Sequence, residues 1–185
     1  VLENEAAVMA AWKTLSDKGS VLIQPYLRNH PLLQSLTTDS EAMTLRVVTR
    51  AHGSDFRVWS GCLYVQGPGY LVEREYWLLK IDAETGQGFD AFGHWLGSEN
   101  EVNDASQLLM LDGKAIPFWS EIVRHSERAH VELPRLWTIA WDWIVTPDGP
   151  MLLEGNAGWD LSALQELGVD FVKIGCELTG DSSKL

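Results

Sequence analysis

Basic side chains are scarce in this sequence: 14 lysines and arginines stand against 26 aspartates and glutamates, a formal net charge of −12. A surface of that sign offers no track for a phosphate backbone, so nucleic acid is not expected as a partner and cations are favoured instead. Cysteine is nearly absent. Its two copies, Cys62 and Cys176, lie far apart and outside any CxxC or Cys/His ligand pattern, so no disulfide framework or zinc site is expected and a reducing, cytoplasmic setting fits. No apolar run approaches the roughly 20 residues that a membrane span requires, and no charged segment followed by an apolar one marks a signal peptide. Internal repeats and low-complexity tracts are missing too. What remains is one α+β domain over residues 1–185, with 45% apolar residues to fill a single sizeable core. The chain opens on Val1 rather than methionine, already inside a helical pattern, so an upstream part is expected.

The elements are short and readable. Val8, Ala11, Trp12 and Leu15 recur at helical spacing, with Gly19 as the stop. Val21 to Ile23 predicts a short strand that ends at Gln24-Pro25, where proline removes a backbone donor. Three strand-like segments follow, Met43 to Thr49, Phe56 to Val65 and Tyr76 to Ile81, joined through Gly53-Ser54-Asp55 and Gly67-Pro68-Gly69. Connections this short favour hairpins over βαβ crossovers, which need about a dozen residues or more. Asp82 to Gly86 reads as another turn, and Phe89 to Asp112, without a clear period, as a candidate substrate loop. Pro117 suits a first helical position, and Trp119, Ile122, Val123 and Ala129 form a stripe running toward His130. Together these predict an antiparallel sheet with packed helices.

The stretch from Trp137 to Asn156, WTIAWDWIVTPDGPMLLEGN, sets two apolar runs around Pro147-Asp148-Gly149 and predicts a hairpin. With the turn centred on Asp148, Asp142 falls opposite Glu154 and Thr146 opposite Pro150. Opposed cross-strand residues have Cβ atoms about 4.5 to 5.5 Å apart, and two carboxylates at that separation repel unless a cation neutralises them. Asn156, two residues beyond Glu154, shares their face and completes a set of hard oxygen donors suited to Mg²⁺ or Mn²⁺ rather than zinc. The competing reading is a pair of ordinary solvated strand carboxylates. Against it, Asp142 sits between Trp141 and Trp143, and Glu154 follows Met151-Leu152-Leu153, runs that read as buried.

On these residues, WDWIVTPDGPMLLEGN resembles the end of an ATP-grasp domain. LIQPYLRNHP, MTLRVVT, KIDAETG and IPFW, in that order, resemble the sugar-transfer associated ATP-grasp subfamily, and together they cover most of the chain. The resemblance implies the C-terminal part of an ATP-grasp domain whose N-terminal part, with the phosphate-covering loop, would precede Val1. It implies an ATP-dependent ligase that uses ATP and Mg²⁺ (or Mn²⁺), activates a small-molecule carboxylate as an acyl phosphate, and passes it to an amine or similar nucleophile. It further implies that Asp142 and Glu154 are metal ligands, with Glu154 bridging two ions, and that Asn156 serves the second ion. Arg46 in TLRV would meet the transferring phosphoryl group, its fork contacting two oxygens; the alternative is a salt bridge to a sheet carboxylate. Gln24, Pro25 and Leu27 would form the hinge that reads adenine through backbone groups, and His30 would approach the ribose or serve as a plain loop histidine.

A reading of another class is a non-catalytic carbohydrate-binding module, suggested by nine tryptophans, and a separate one is a degenerate ATP-grasp fold that binds nucleotide without catalysing. Trp141 and Trp143 alternate away from Asp142 as core residues do, and Trp12, Trp119 and Trp137 fall on apolar stripes. A sugar-stacking module would also have no use for the set Asp142, Glu154 and Asn156.

Overall fold

Alternation along the strands decides which side of the sheet is dry. In the computed structural model, which describes residues 4–20, 24–36, 42–66, 75–95, 111 and 113–159, six strands form one antiparallel sheet. They are β1 (Thr44–His52), β2 (Asp55–Gln66), β3 (Glu75–Ile81), β4 (Gly88–Trp95), β5 (Thr138–Thr146) and β6 (Gly149–Asn156), in the spatial order β4-β3-β2-β1-β5-β6. Among the described residues three helices accompany them: α1 (Glu5–Ser16), the single turn α2 (Pro31–Gln34) and α3 (Trp119–Val131). The expected α+β class is the observed one. No helix among the described residues is long and apolar enough to cross a membrane.

One sheet face is packed by α3 and α2. Leu45 and Val47 of β1, Leu63 and Val65 of β2, Leu79 and Ile81 of β3, and Ile139, Trp141, Trp143 and Val145 of β5 alternate onto it, where they join Ile122 and Trp119 of α3 and Leu33 of α2. The buried positions of α3, Trp119, Ile122, Ser126 and His130, fall three or four residues apart, which keeps them on one helical face. Three of the buried indoles show the acceptor that a buried N–H requires. Trp143 donates to the Ser126 hydroxyl at 3.1 Å, Trp141 to the Thr49 hydroxyl at 2.8 Å, and Trp119 to the Ala83 carbonyl at 3.3 Å.

The turn Asp82 to Gly86 is built by its aspartate, whose Oδ1 accepts from the Thr85 amide and hydroxyl, both at 2.7 Å. The Thr85 hydroxyl bond foremost holds this carboxyl below its usual range. Gly86 closes the turn at φ 72°, and a Cβ there would lie 2.2 Å from Trp119 Cγ, so both conformation and space require glycine.

Several sequence expectations need correction. The segment beginning at Phe89 is no loop at its start, because β4 runs from Gly88 to Trp95 and pairs with β3; residues 96–110 lie outside the described residues, as do Val21 to Ile23 and Gly67-Pro68-Gly69. Its period was obscured by a bulge between the pairs at Leu79 and Lys80. Pro117 precedes α3 rather than entering it, and Phe118 caps the helix at φ 61°. Trp12 and Leu15 of α1 are 44% and 46% exposed, so that stripe joins no core among the described residues. Met151, Leu152 and Leu153 are exposed too, because β6 lies at the sheet edge and α3 packs chiefly on β2, β1 and β5.

His130 ends the buried stripe with no solvent exposure. Its Nε2 is 3.0 Å from the Leu136 carbonyl, which can only accept, so Nε2 carries the proton. Nδ1 then accepts from the Thr49 hydroxyl at 2.7 Å, and that oxygen accepts from Trp141. Burial lowers the His130 pKa below its ordinary 6.5, against a smaller upward pull from the Leu136 carbonyl. A group less easily protonated in the folded than in the unfolded state contributes stability above its unfolded pKa and loses it as pH falls through the folded one. Thermal melts should therefore show stability dropping below about pH 6.5, and His130→Gln should flatten that slope while lowering stability at pH 8. An identical slope in the two proteins would refute the assignment.

Candidate functional site

The polar face of the sheet is organised by register. Lys80 of β3 is opposite Cys62 of β2, Cys62 opposite Arg46 of β1, Arg46 opposite Asp142 of β5, and Asp142 opposite Glu154 of β6. Directly opposed residues share a face, so these five form one row across the sheet, on the side away from α3. Arg46 and Asp142 are 96 residues apart in sequence, and only the pairing of β1 with β5 brings them together.

The centre of the row is a two-point ion pair. Arg46 Nε donates to Asp142 Oδ1 and Nη2 to Oδ2, both at 2.8 Å, with side chains 24% and 7% exposed. Such fork-to-carboxylate pairs fix orientation as well as charge. The bonds to Asp142 outweigh burial and raise the Arg46 pKa, so the guanidinium stays charged. Tyr64 stacks beneath it, its ring centroid 5.3 Å from Arg46 Cζ, and burial pushes the Tyr64 hydroxyl above its usual pKa against the opposing charge of Arg46. The salt-bridge alternative for Arg46 is thus what the geometry contains. It also revises the argument for a cation at Asp142, because the neutralising charge is already supplied by the neighbouring strand.

The opposition of Asp142 and Glu154 is present, but not for the reason the turn suggested. The two-residue turn pairs Thr146 with Gly149 and Val145 with Pro150, so Thr146 does not face Pro150. A bulge between Asp142 and Trp143 leaves Leu153 as an extra residue, and that insertion restores the Asp142 and Glu154 register. Gly155 follows because Trp141 lies against it; a Cβ there would sit 2.6 Å from the indole ring. Asn156 donates from Nδ2 to Glu154 Oε1 at 2.9 Å, which ties the last two oxygen-bearing side chains together on the exposed edge.

These residues fit a hard divalent cation in donor type. Glu154 and Asn156 are reachable at the edge, and an ionised carboxylate has about four acceptor positions, of which Arg46 takes two from Asp142. Amide oxygen and nitrogen exchange by a simple flip of Asn156. No cluster of three or more His, Cys, Asp or Glu residues suited to a metal occurs among the described residues, so any ion here depends on Asn156.

The proposed hinge is separate from this row. Gln24, Pro25 and Leu27 lie in irregular chain before α2. His30 caps α2, its Nδ1 accepting from the Leu32 amide at 3.2 Å while its own amide donates to the Val145 carbonyl at 2.7 Å. Those bonds fasten the segment to the end of β5, and Nδ1 is committed locally. Neither Lys80 nor Tyr64 carries a local sequence signal; strand register, which no local pattern reveals, sets Tyr64 against Arg46 and Lys80 in the same row two strands away.

A family model for sugar-transfer associated ATP-grasp matches residues 6–168. No curated protein and no solved structure gives a significant match.

Removing one member of the central pair strands the other. Asp142→Ala should destabilise the fold by about 3 kcal/mol, since Arg46 is left charged and three-quarters covered. Arg46→Met combined with Asp142→Leu should recover most of that loss in urea denaturation. A double variant no more stable than Asp142→Ala would show that the stranded charge is not the cause.

Proposed function

The chain belongs to the sugar-transfer associated ATP-grasp family, and on that premise we propose that it supplies the metal- and phosphate-facing wall of an ATP-dependent carboxylate ligase. The observation that carries the reading is the clamped Arg46 at the centre of a row that ends in Glu154. In the proposed reaction a substrate carboxylate oxygen attacks the γ-phosphorus of ATP, and the bond from that phosphorus to the bridging oxygen of ADP breaks. An amine or similar nucleophile then adds to the acyl carbon, gives up its proton, and inorganic phosphate leaves.

Arg46 would meet the charge that gathers on the transferring phosphoryl group. Asp142 holds the fork in one orientation before the ligand arrives, which lowers the reorganisation needed at the moment of transfer. Asp142, Glu154 and Asn156 would hold Mg²⁺ or Mn²⁺, which when bound supplies positive charge to the nucleotide phosphates. Gln24, Pro25 and Leu27 would read adenine through their backbone groups, and His30 would sit near the ribose by its ring rather than by Nδ1. The glycine-rich cover of the phosphates is assigned to the N-terminal part of the same domain.

Two measurements test this. Millimolar Mn²⁺ should raise the melting temperature of the chain modestly, about 0.4 kcal/mol of stabilisation when its concentration equals Kd, and Glu154→Gln should remove the response. A melting curve indifferent to Mn²⁺ in both proteins would reject the metal set. In the intact protein, Arg46→Lys should lower kcat at least 10-fold with a smaller change in the KM for ATP, because a point charge cannot reproduce the two-point contact. Unchanged turnover would reject the role given to Arg46.

A further inference from the structure

Two β-bulges converge on one hollow of the polar face. On β2, Val48 pairs with Ser60 and Thr49 with Val58, so Trp59 is an inserted residue. On β4, Leu79 pairs with Ala91 and Lys80 with Phe89, which makes Asp90 the inserted one, at the left-handed φ of 52° that side chains rarely adopt. Bulges re-aim side chains and recur beside functional sites. Between them lies a hollow of about 360 Å³, lined chiefly by Trp59, Ser60, Lys80, Asp82, Glu84 and Phe89.

The lining specifies a ligand. Phe89 is 45% exposed and Trp59 half-buried, so the hollow presents aromatic carbon to solvent; Arg50 lies over the Trp59 ring at 5.2 Å and steadies it. Lys80, its side chain only 17% exposed, is held at the wall by Asp90 at 2.8 Å and carries three donor hydrogens. A flat apolar surface beside an ammonium suits a ring with one weakly solvated face and an anionic group. Ser60, Asp82 and Glu84 add acceptors for hydroxyl hydrogens, which a hydrocarbon acid does not have. Their two carboxylates, with Asp90, disfavour a doubly charged phosphate. Lys80 stands two strands from Arg46 in the same row, roughly 10 Å at the usual strand spacing, and the residue between them is the small Cys62.

We propose that this hollow binds the carboxylate substrate and that the substrate is a sugar acid, a uronate unit whose ring face lies on Trp59 and Phe89 and whose carboxylate meets Lys80. The fate of that carboxylate rests on the ligase reading above; its binding does not. Titration calorimetry on the chain should show D-glucuronate binding at least 10-fold more tightly than D-glucose, which lacks the carboxylate, and than benzoate, which lacks the hydroxyls. Trp59→Ala should weaken glucuronate about 10-fold and Trp59→Phe should restore most of it. Lys80→Met should abolish the preference over glucose. Phe89→Ala, at an exposed position outside the core, should weaken glucuronate several-fold without lowering the melting temperature. Equal affinities for the three probes, or glucuronate binding indifferent to Phe89→Ala and Trp59→Ala, would overturn the proposal. No glucuronate binding alongside an intact Mn²⁺ response would overturn the hollow alone. Glucuronate binding by the intact protein without any ATP-dependent release of phosphate would support the hollow and overturn the ligase reading.

Discussion

Two indole N–H groups buried under one helix set the orientation of β5, and the polar face follows from that. Trp141 must reach Thr49 and Trp143 must reach Ser126, since an unsatisfied buried donor costs about 1–3 kcal/mol. With both tryptophans turned toward α3, the two-residue period sends Asp142 to the opposite face. There β1 presents Arg46 directly across from it. A slip of one residue in β5 would expose the indoles and bury the carboxylate against the helix, so the packing of one face protects the chemistry of the other.

Much of this arrangement was legible in the sequence, and the failures have identifiable causes. The strands β1, β2 and β3 announce themselves through β-branched and aromatic residues bounded by turn residues, and the stripe of α3 through helical spacing. The strand β4 did not, because the inserted Asp90 breaks its alternation. The opposition of Asp142 and Glu154 was reached from a wrong turn centre, and the inserted Leu153 cancelled the error. Met151 to Leu153 read as buried because local hydrophobicity does not say which strand will lie at a sheet edge. The pairing of Arg46 with Asp142 bridges 96 residues, and nothing local encodes it beyond the availability of opposite charges.

The three insertions share a consequence. Each falls where a strand of the sheet approaches the polar row or the hollow beside it: Trp59 on β2, Asp90 on β4, Leu153 on β6. A regular sheet would hold its side chains in straight ranks. The extra residues bend the ranks locally and increase strand twist, which lets aromatic and charged groups gather around a depression while the buried face keeps its regular alternation.

Read along its length, the row has a polarity of its own. Lys80 and Arg46 lie on one half, Asp142 and Glu154 on the other, and the four formal charges sum to zero while remaining sorted by sign. With strands about 4.8 Å apart, that sorting is a dipole lying in the plane of the sheet and perpendicular to its strands. Asp90 offsets Lys80 at the far end, so the sorting acts chiefly between Arg46 and Glu154, favouring an anionic group over β1 and a cation toward β6. Reversing the order of these charges while keeping their sum would reverse the direction of that field.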